Sequence, residues 1–134
     1  MSKPTDQSNL SEKRYPKNHD FRGQDLIGIV LTLQDFDQAN FQQIQASTSK
    51  LSKITFLNCT FHASRIRDSR WNECKITGSN GKIVDFEGTV FENTTIIETN
   101  FTGSSFYGAT FVNCDLSNVN LSNADLRKAN FKGS

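Results

Sequence analysis

The side chains with the most chemical potential in this sequence are two histidines, His19 and His62, and three cysteines, Cys59, Cys74 and Cys114. Nucleophilic or metal-assisted chemistry requires such groups to converge with a base, an acid or further ligands. No HxH, HExxH, GxSxG or glycine-rich phosphate loop occurs in the chain, so no local motif supplies that convergence. An odd number of cysteines without CxxC spacing fits free thiols in a reducing compartment better than a disulfide framework or a zinc site. No catalytic, metal-binding or cofactor-binding residue is assigned, and the chain is not expected to be an enzyme.

Charge provides the second candidate. Between positions 50 and 82, Lys50, Lys53, Arg65, Arg67, Arg70, Lys75 and Lys82 stand against only Asp68 and Glu73, which could form a nucleic-acid patch. Over the whole chain, however, 15 basic and 14 acidic residues leave a net charge of +1. Such a balance gives no long-range field to steer the protein toward a polyanion. No apolar run approaches the roughly 18 to 20 residues of a membrane span, and the polar N-terminus lacks a signal-peptide core. A cytoplasmic protein with no membrane partner and no direct nucleic-acid binding is expected.

The elements that must position these residues are set by an internal period of five. Counting by fives from Phe21 to Phe131 gives 23 positions, of which all but Ala46 and Gly81 are large and apolar. All 11 phenylalanines of the chain fall in this one phase, a coincidence with odds on the order of one in ten million. A period of five matches neither the 3.6 of a helix nor the 2 of a strand, so the chain must turn at regular intervals. Two residues before most of the large positions lies a slim one, as at Ile29, Ser49, Cys59, Cys74, Thr94, Cys114 and Ala129. A large and a small inward residue per repeat describe a short straight side followed by a corner. The remaining positions are mostly polar and suit a solvated exterior and tight turns.

Segments such as Ala109-Thr110-Phe111-Val112-Asn113, Ala124-Asp125-Leu126-Arg127-Lys128 and Ala129-Asn130-Phe131-Lys132-Gly133 resemble the A(D/N)(L/F)xx consensus of pentapeptide-repeat proteins. The resemblance covers residues 19 to 134. It implies an all-β fold, a right-handed quadrilateral parallel β-helix of nearly six coils with four pentads to each coil. At the spacing of adjacent β-strands the body would be a rod roughly 28 Å long. The core would stack Phe21, Phe41, Phe61 and Phe101 on one side, Phe86 and Phe106 on the next, and Trp71, Phe91, Phe111 and Phe131 on the third. At Gly81 the Trp71 ring is expected to fill the vacant space, with a local bulge as the alternative. Residues 1 to 18 lie outside the repeat phase and are expected to be a flexible arm or a partial cap.

Folding the sequence by twenty also pairs the charges. Arg65 falls between Gln45 and Asp85, Arg67 beside Glu87 and Lys53 beside Glu73, so most of the basic stretch should become cross-coil ladder pairs. Lys50 and Arg70 stack as like charges and remain a candidate interaction pair. At the C-terminus Leu116, Leu121, Leu126 and Phe131 line a coil with nothing after it to cover them. Either the rod associates there, as a homodimer through its last coil, or a longer protein has been cut at this point. The expected function is that of a noncatalytic β-helical scaffold or protein-interaction module whose protein partner the sequence does not identify. The alternative implied by the resemblance is a DNA mimic that binds or protects DNA gyrase. Against it, residues 19 to 134 carry 12 acidic and 11 basic side chains, far from the polyanionic surface such mimicry needs.

Overall fold

The computed structural model describes residues 14–134. Its architecture follows from the pentad. Each large residue sits at the middle of a short straight side, and the residue two positions later turns the corner with a left-handed backbone. The left-handed φ recurs at every corner from Gly23 to Gly133, between +49° and +72°. Glycine occupies seven of these corners and asparagine five, the residue types that tolerate this conformation with least strain.

Ten three-residue strands are regular enough to name: β1 Val30–Thr32, β2 Asp35–Asp37, β3 Lys50–Ser52, β4 Thr55–Leu57, β5 Arg70–Asn72, β6 Lys75–Thr77, β7 Val90–Glu92, β8 Thr95–Ile97, β9 Thr110–Val112 and β10 Asn130–Lys132. They pair in parallel with a register of twenty residues, for example Leu51 with Trp71 and Phe56 with Ile76. One side of the rod is the six-stranded sheet β1-β3-β5-β7-β9-β10, and the adjacent side is β2-β4-β6-β8. The other two sides are stitched by single parallel bridges, Asp20 to Asn40 through Asn100 to Asn120, and Asp25 to Gln45 through Ser105 to Asp125. Three sides therefore carry six passes of chain and the fourth carries five, which is five complete coils and three sides of a sixth.

The core is a set of stacked rings. Phe21 and Phe41 lie 4.8 Å apart at 4°, Phe41 and Phe61 5.2 Å at 7°, Phe86 and Phe106 5.1 Å at 13°, and Phe91 and Phe111 4.9 Å at 6°. Within a coil, neighbouring sides meet edge to face, as at Phe36 and Phe41 (5.2 Å, 89°). Identical rings thus repeat at close to the strand spacing while rings of adjacent columns meet at angles between 33° and 90°, stacked and inclined arrangements that suit aromatic quadrupoles.

Two expectations are corrected inside this core. No bulge forms at Gly81, because the bridge from Thr60 through Asn80 to Asn100 runs on without a slip and the Gly81 N–H donates to Asn100 O at 2.7 Å. Nor does Trp71 take the vacated space: it is the Phe101 ring, one coil on in the same column, that comes against Gly81. The slim column also contains exceptions. Its first positions are His19 and Gln24, both half-buried, and Gln34, two residues before Phe36, is only 1% exposed, so a full-length amide lies buried where the later repeats place small or branched residues.

Most of the predicted arm or partial cap, residues 1–18, lies outside the described residues. Of its last part, Tyr15 packs against Phe21 (5.0 Å) and Phe36 (5.6 Å), and Arg14 donates to Leu33 O at 2.9 Å. The first coil is thus covered on its open side by at least one aromatic ring.

Candidate interaction surfaces

The groups with chemical potential fall into two sets, one sealed in the corners and one spread along the outer faces. Cys59, Cys74 and Cys114 all occupy the slim inward column and are buried. Their thiols point at carbonyls of the preceding coil, Cys59 at Phe36 O (3.5 Å), Cys74 at Leu51 O (3.7 Å) and Cys114 at Phe91 O (3.3 Å). Burial pushes the Cys59 and Cys74 thiols up to about 11 and raises Cys114 as well. A thiol held protonated in this way is a poor nucleophile.

The serines and threonines of the same column use the geometry more fully. Thr89 Oγ1 donates to Ile66 O at 2.7 Å and accepts from Ser69 N at 3.4 Å, and Ser104 Oγ donates to Gly81 O at 2.9 Å and accepts from Val84 N at 3.0 Å. At a corner the backbone turns away from the ladder, and a slim hydroxyl supplies the partners that the neighbouring coil's backbone lacks. Sequence reading takes this column as space-filling. The recurrence of Ser and Thr there, rather than Ala alone, was the available sign of its hydrogen-bonding role.

The two histidines differ in setting. His19 lies against Tyr15 and Phe21 at the start of the first coil. His62 stands on the outside, where its Nδ1 accepts the Lys82 backbone N–H at 2.9 Å. On other coils of this side a carboxylate or amide two residues back takes the equivalent N–H, as Asp20 does for Arg22 and Asn100 for Thr102. Partial burial, with the Lys82 charge nearby, lowers the His62 pKa. Among the described residues no three His, Cys, Asp or Glu side chains gather as a metal site.

Of the basic stretch, Arg67 behaves as the folded register implies. Its Nε reaches Asp85 at 2.6 Å and its guanidinium lies 3.7 Å from Glu87. Arg65 bridges Gln45 and Asp85 through its backbone but makes no ion pair within 4 Å among the described residues, and Lys53 and Glu73 do not meet either. Lys53 and Glu73 both sit at left-handed corners and are exposed, where an ion pair gains little from being held in one geometry. Lys50 and Arg70 are neighbours in register on β3 and β5, as the like-charge stacking requires. Arg70 turns away toward Glu92, 3.4 Å distant, which disperses the pair.

At the far end, Asp125 is gripped by Arg127 through two side-chain bonds of 3.0 and 2.8 Å, which hold its carboxyl down to about 2. Arg127 and Lys128 also stand 5.5 and 5.6 Å from the Tyr107 ring. Beneath them the column is open: Leu126 is 38% and Phe131 41% exposed, while Leu116 and Leu121 are half-buried. The candidate interaction residues therefore do not form one patch. Lys50 and Arg70 lie on one lateral side, and the four apolar residues lie at the end of the rod.

The fold agrees with known proteins at the level of architecture. No curated protein matches the chain. Among solved structures, a trypsin-treated form of QnrB1, described as a plasmid-mediated fluoroquinolone resistance protein, is 19% identical. That match covers 96% of this chain and 74% of the other, with a TM-score of 0.61. A pentapeptide repeat protein, Rfr23 from the cyanobacterium Cyanothece 51142, is 16% identical over 77% of this chain and 64% of its own, with a TM-score of 0.50. At these identities the likeness is one of fold. The family model for pentapeptide repeats, in eight copies, matches residues 20–52, 85–123 and 104–134, so this chain belongs to the pentapeptide-repeat family.

Proposed function

We propose that this chain is a noncatalytic β-helical interaction module that associates with protein through the open end of its last coil, in the first instance with a second copy of itself. The observation that carries this reading is the exposed apolar end formed by Leu116, Leu121, Leu126 and Phe131. Phe131 stacks on Phe111 at 4.8 Å and 1°, so the end is ordered in the same way as the core and offers a firm aromatic plane. Burying four such side chains is worth roughly 1.5 to 3 kcal/mol each before the costs of association. Arg127, Lys128 and Lys132 ring this end and oppose the approach of two like surfaces, which favours a weak or regulated contact.

The gyrase reading predicts a phosphate-like surface, and this rod is close to neutral. Its guanidinium groups at Arg67, Arg70 and Arg127 are matched by Asp85, Glu92 and Asp125. The two readings separate in a supercoiling assay. Stoichiometric amounts of the chain should leave gyrase supercoiling and its quinolone sensitivity unchanged, and a clear stoichiometric effect on either would replace the proposal with the gyrase reading.

A further inference from the structure

The interior is not filled evenly. In the column that runs from Leu26 to Leu126, Ala46 stands between Leu26 and Ile66, and the missing side-chain volume leaves an internal cavity of about 30 Å³. Ile44, Leu51, Ile66, Ser49 and Trp71 are among the residues around it, and no lining residue is more than 8% exposed. The volume is larger than the roughly 10 to 15 Å³ that one water requires.

The lining is nevertheless ill suited to water. Ser49 Oγ already donates to Ser69 Oγ at 3.0 Å. The other polar group is the Trp71 indole N–H, which is buried and finds no acceptor among the described residues. A buried water ordinarily makes about three hydrogen bonds, and apolar cavities of this kind stay dry and take up small apolar molecules instead.

We propose that the cavity beside Ala46 is a binding site for one small, neutral, apolar molecule of the size of dioxygen. Dispersion against the isoleucine and leucine side chains holds it. This site is independent of the proposed association at the rod's end, which lies more than two coils away along the chain.

The test uses dioxygen itself, whose paramagnetism speeds the relaxation of nearby protons. Under oxygen pressure, Trp71 Hε1 and the methyl groups of Ile44, Leu51 and Ile66 should relax several-fold faster than those of Val84 and Ile96, which are buried equally well elsewhere. Ala46→Val, which fills the space, should bring the first set down to the level of the second. Uniform enhancement across both sets in the wild-type chain would overturn the site, and this comparison stands even if the variant fails to fold. Enhancement that survives in a folded Ala46→Val chain, or an exchange signal from bound water at Trp71 Hε1, would overturn it as well.

Discussion

The edge of the Phe101 ring occupies the space that a side chain at Gly81 would need: a methyl group there would lie 2.8 Å from Phe101 Cε1 and 3.0 Å from Val84 Cγ2. Gly81 has no left-handed φ, so its requirement is one of volume and not of backbone conformation. Gly81→Ala is therefore expected to cost about 1 to 3 kcal/mol by overpacking, and Phe101→Ala about 3 to 5 kcal/mol by leaving a cavity. The two should be strongly non-additive, since a smaller side chain at 101 makes room for the methyl group. Urea titration of the two single variants and the double variant measures this, and additive losses would show that the two sites do not share the space.

The corners make an opposite prediction for two residues with the same backbone. Ile83 is a β-branched residue at φ +58° with 71% of its surface exposed, so it bears left-handed strain with little packing in return. Ile83→Asn should raise stability by about 0.5 to 1 kcal/mol. Gly88, at φ +69°, lies directly beneath the Asp68 carboxylate, where a Cβ would collide with Oδ1. Gly88→Ala should be clearly destabilising on both counts. Thermal midpoints of the two variants test the pair, and shifts of the same sign would show that strain at the corners does not control stability.

The hydroxyls of the slim column should matter more than their size. Thr89 is fully buried and links Ile66 O to Ser69 N. Thr89→Val keeps the shape but leaves both backbone groups without that partner, so a loss of about 1 to 3 kcal/mol is expected. Val84→Ala would lose only methyl groups at an equivalent position. Hydrogen exchange at the Ser69 amide should accelerate in Thr89→Val, and an unchanged rate would mean that the hydroxyl is only a spacer.

Most of the fold was legible because the pentad phase is carried by side-chain size, and size at a fixed period leaves few foldings open. The inward positions from Phe21 to Phe111 follow the sequence phase without a break. What could not be read was local. The filler at Gly81 depends on how Phe101 rotates, and the burial of Gln34 follows its inward position rather than its polar type. Lys53 and Glu73, which the period of twenty placed side by side, do not pair, because two exposed side chains gain little from holding one geometry. The candidate interaction surface was legible only as an uncovered apolar end, because an outward-facing residue carries no periodic signature of a partner.

Acid should weaken the rod through His62. Its Nδ1 must be neutral to accept the Lys82 N–H, and its pKa in the fold is lowered from 6.5. The unfolded chain therefore binds this proton at a higher pH than the folded one, so the stabilisation is complete above pH about 6.5 and declines as pH falls through the window below it. Asp125, held down to about 2 by Arg127, adds a second decline between about pH 4 and 2, again toward acid. Following the His62 ring protons by NMR should place its midpoint below 6.5, and His62→Leu should flatten the stability profile just below neutrality. A midpoint above 6.5 would contradict the hydrogen bond.

The claim that the end of the rod is where this protein meets its partner is tested most directly by light scattering on the purified chain at tens of micromolar, with and without Phe131→Lys. Phe131 is 41% exposed and caps the stack on Phe111, so a charge there should abolish association while leaving the underlying coils folded. The predicted result is a wild-type dimer that becomes a monomer on Phe131→Lys. A wild-type monomer, or a dimer indifferent to the substitution, would contradict it.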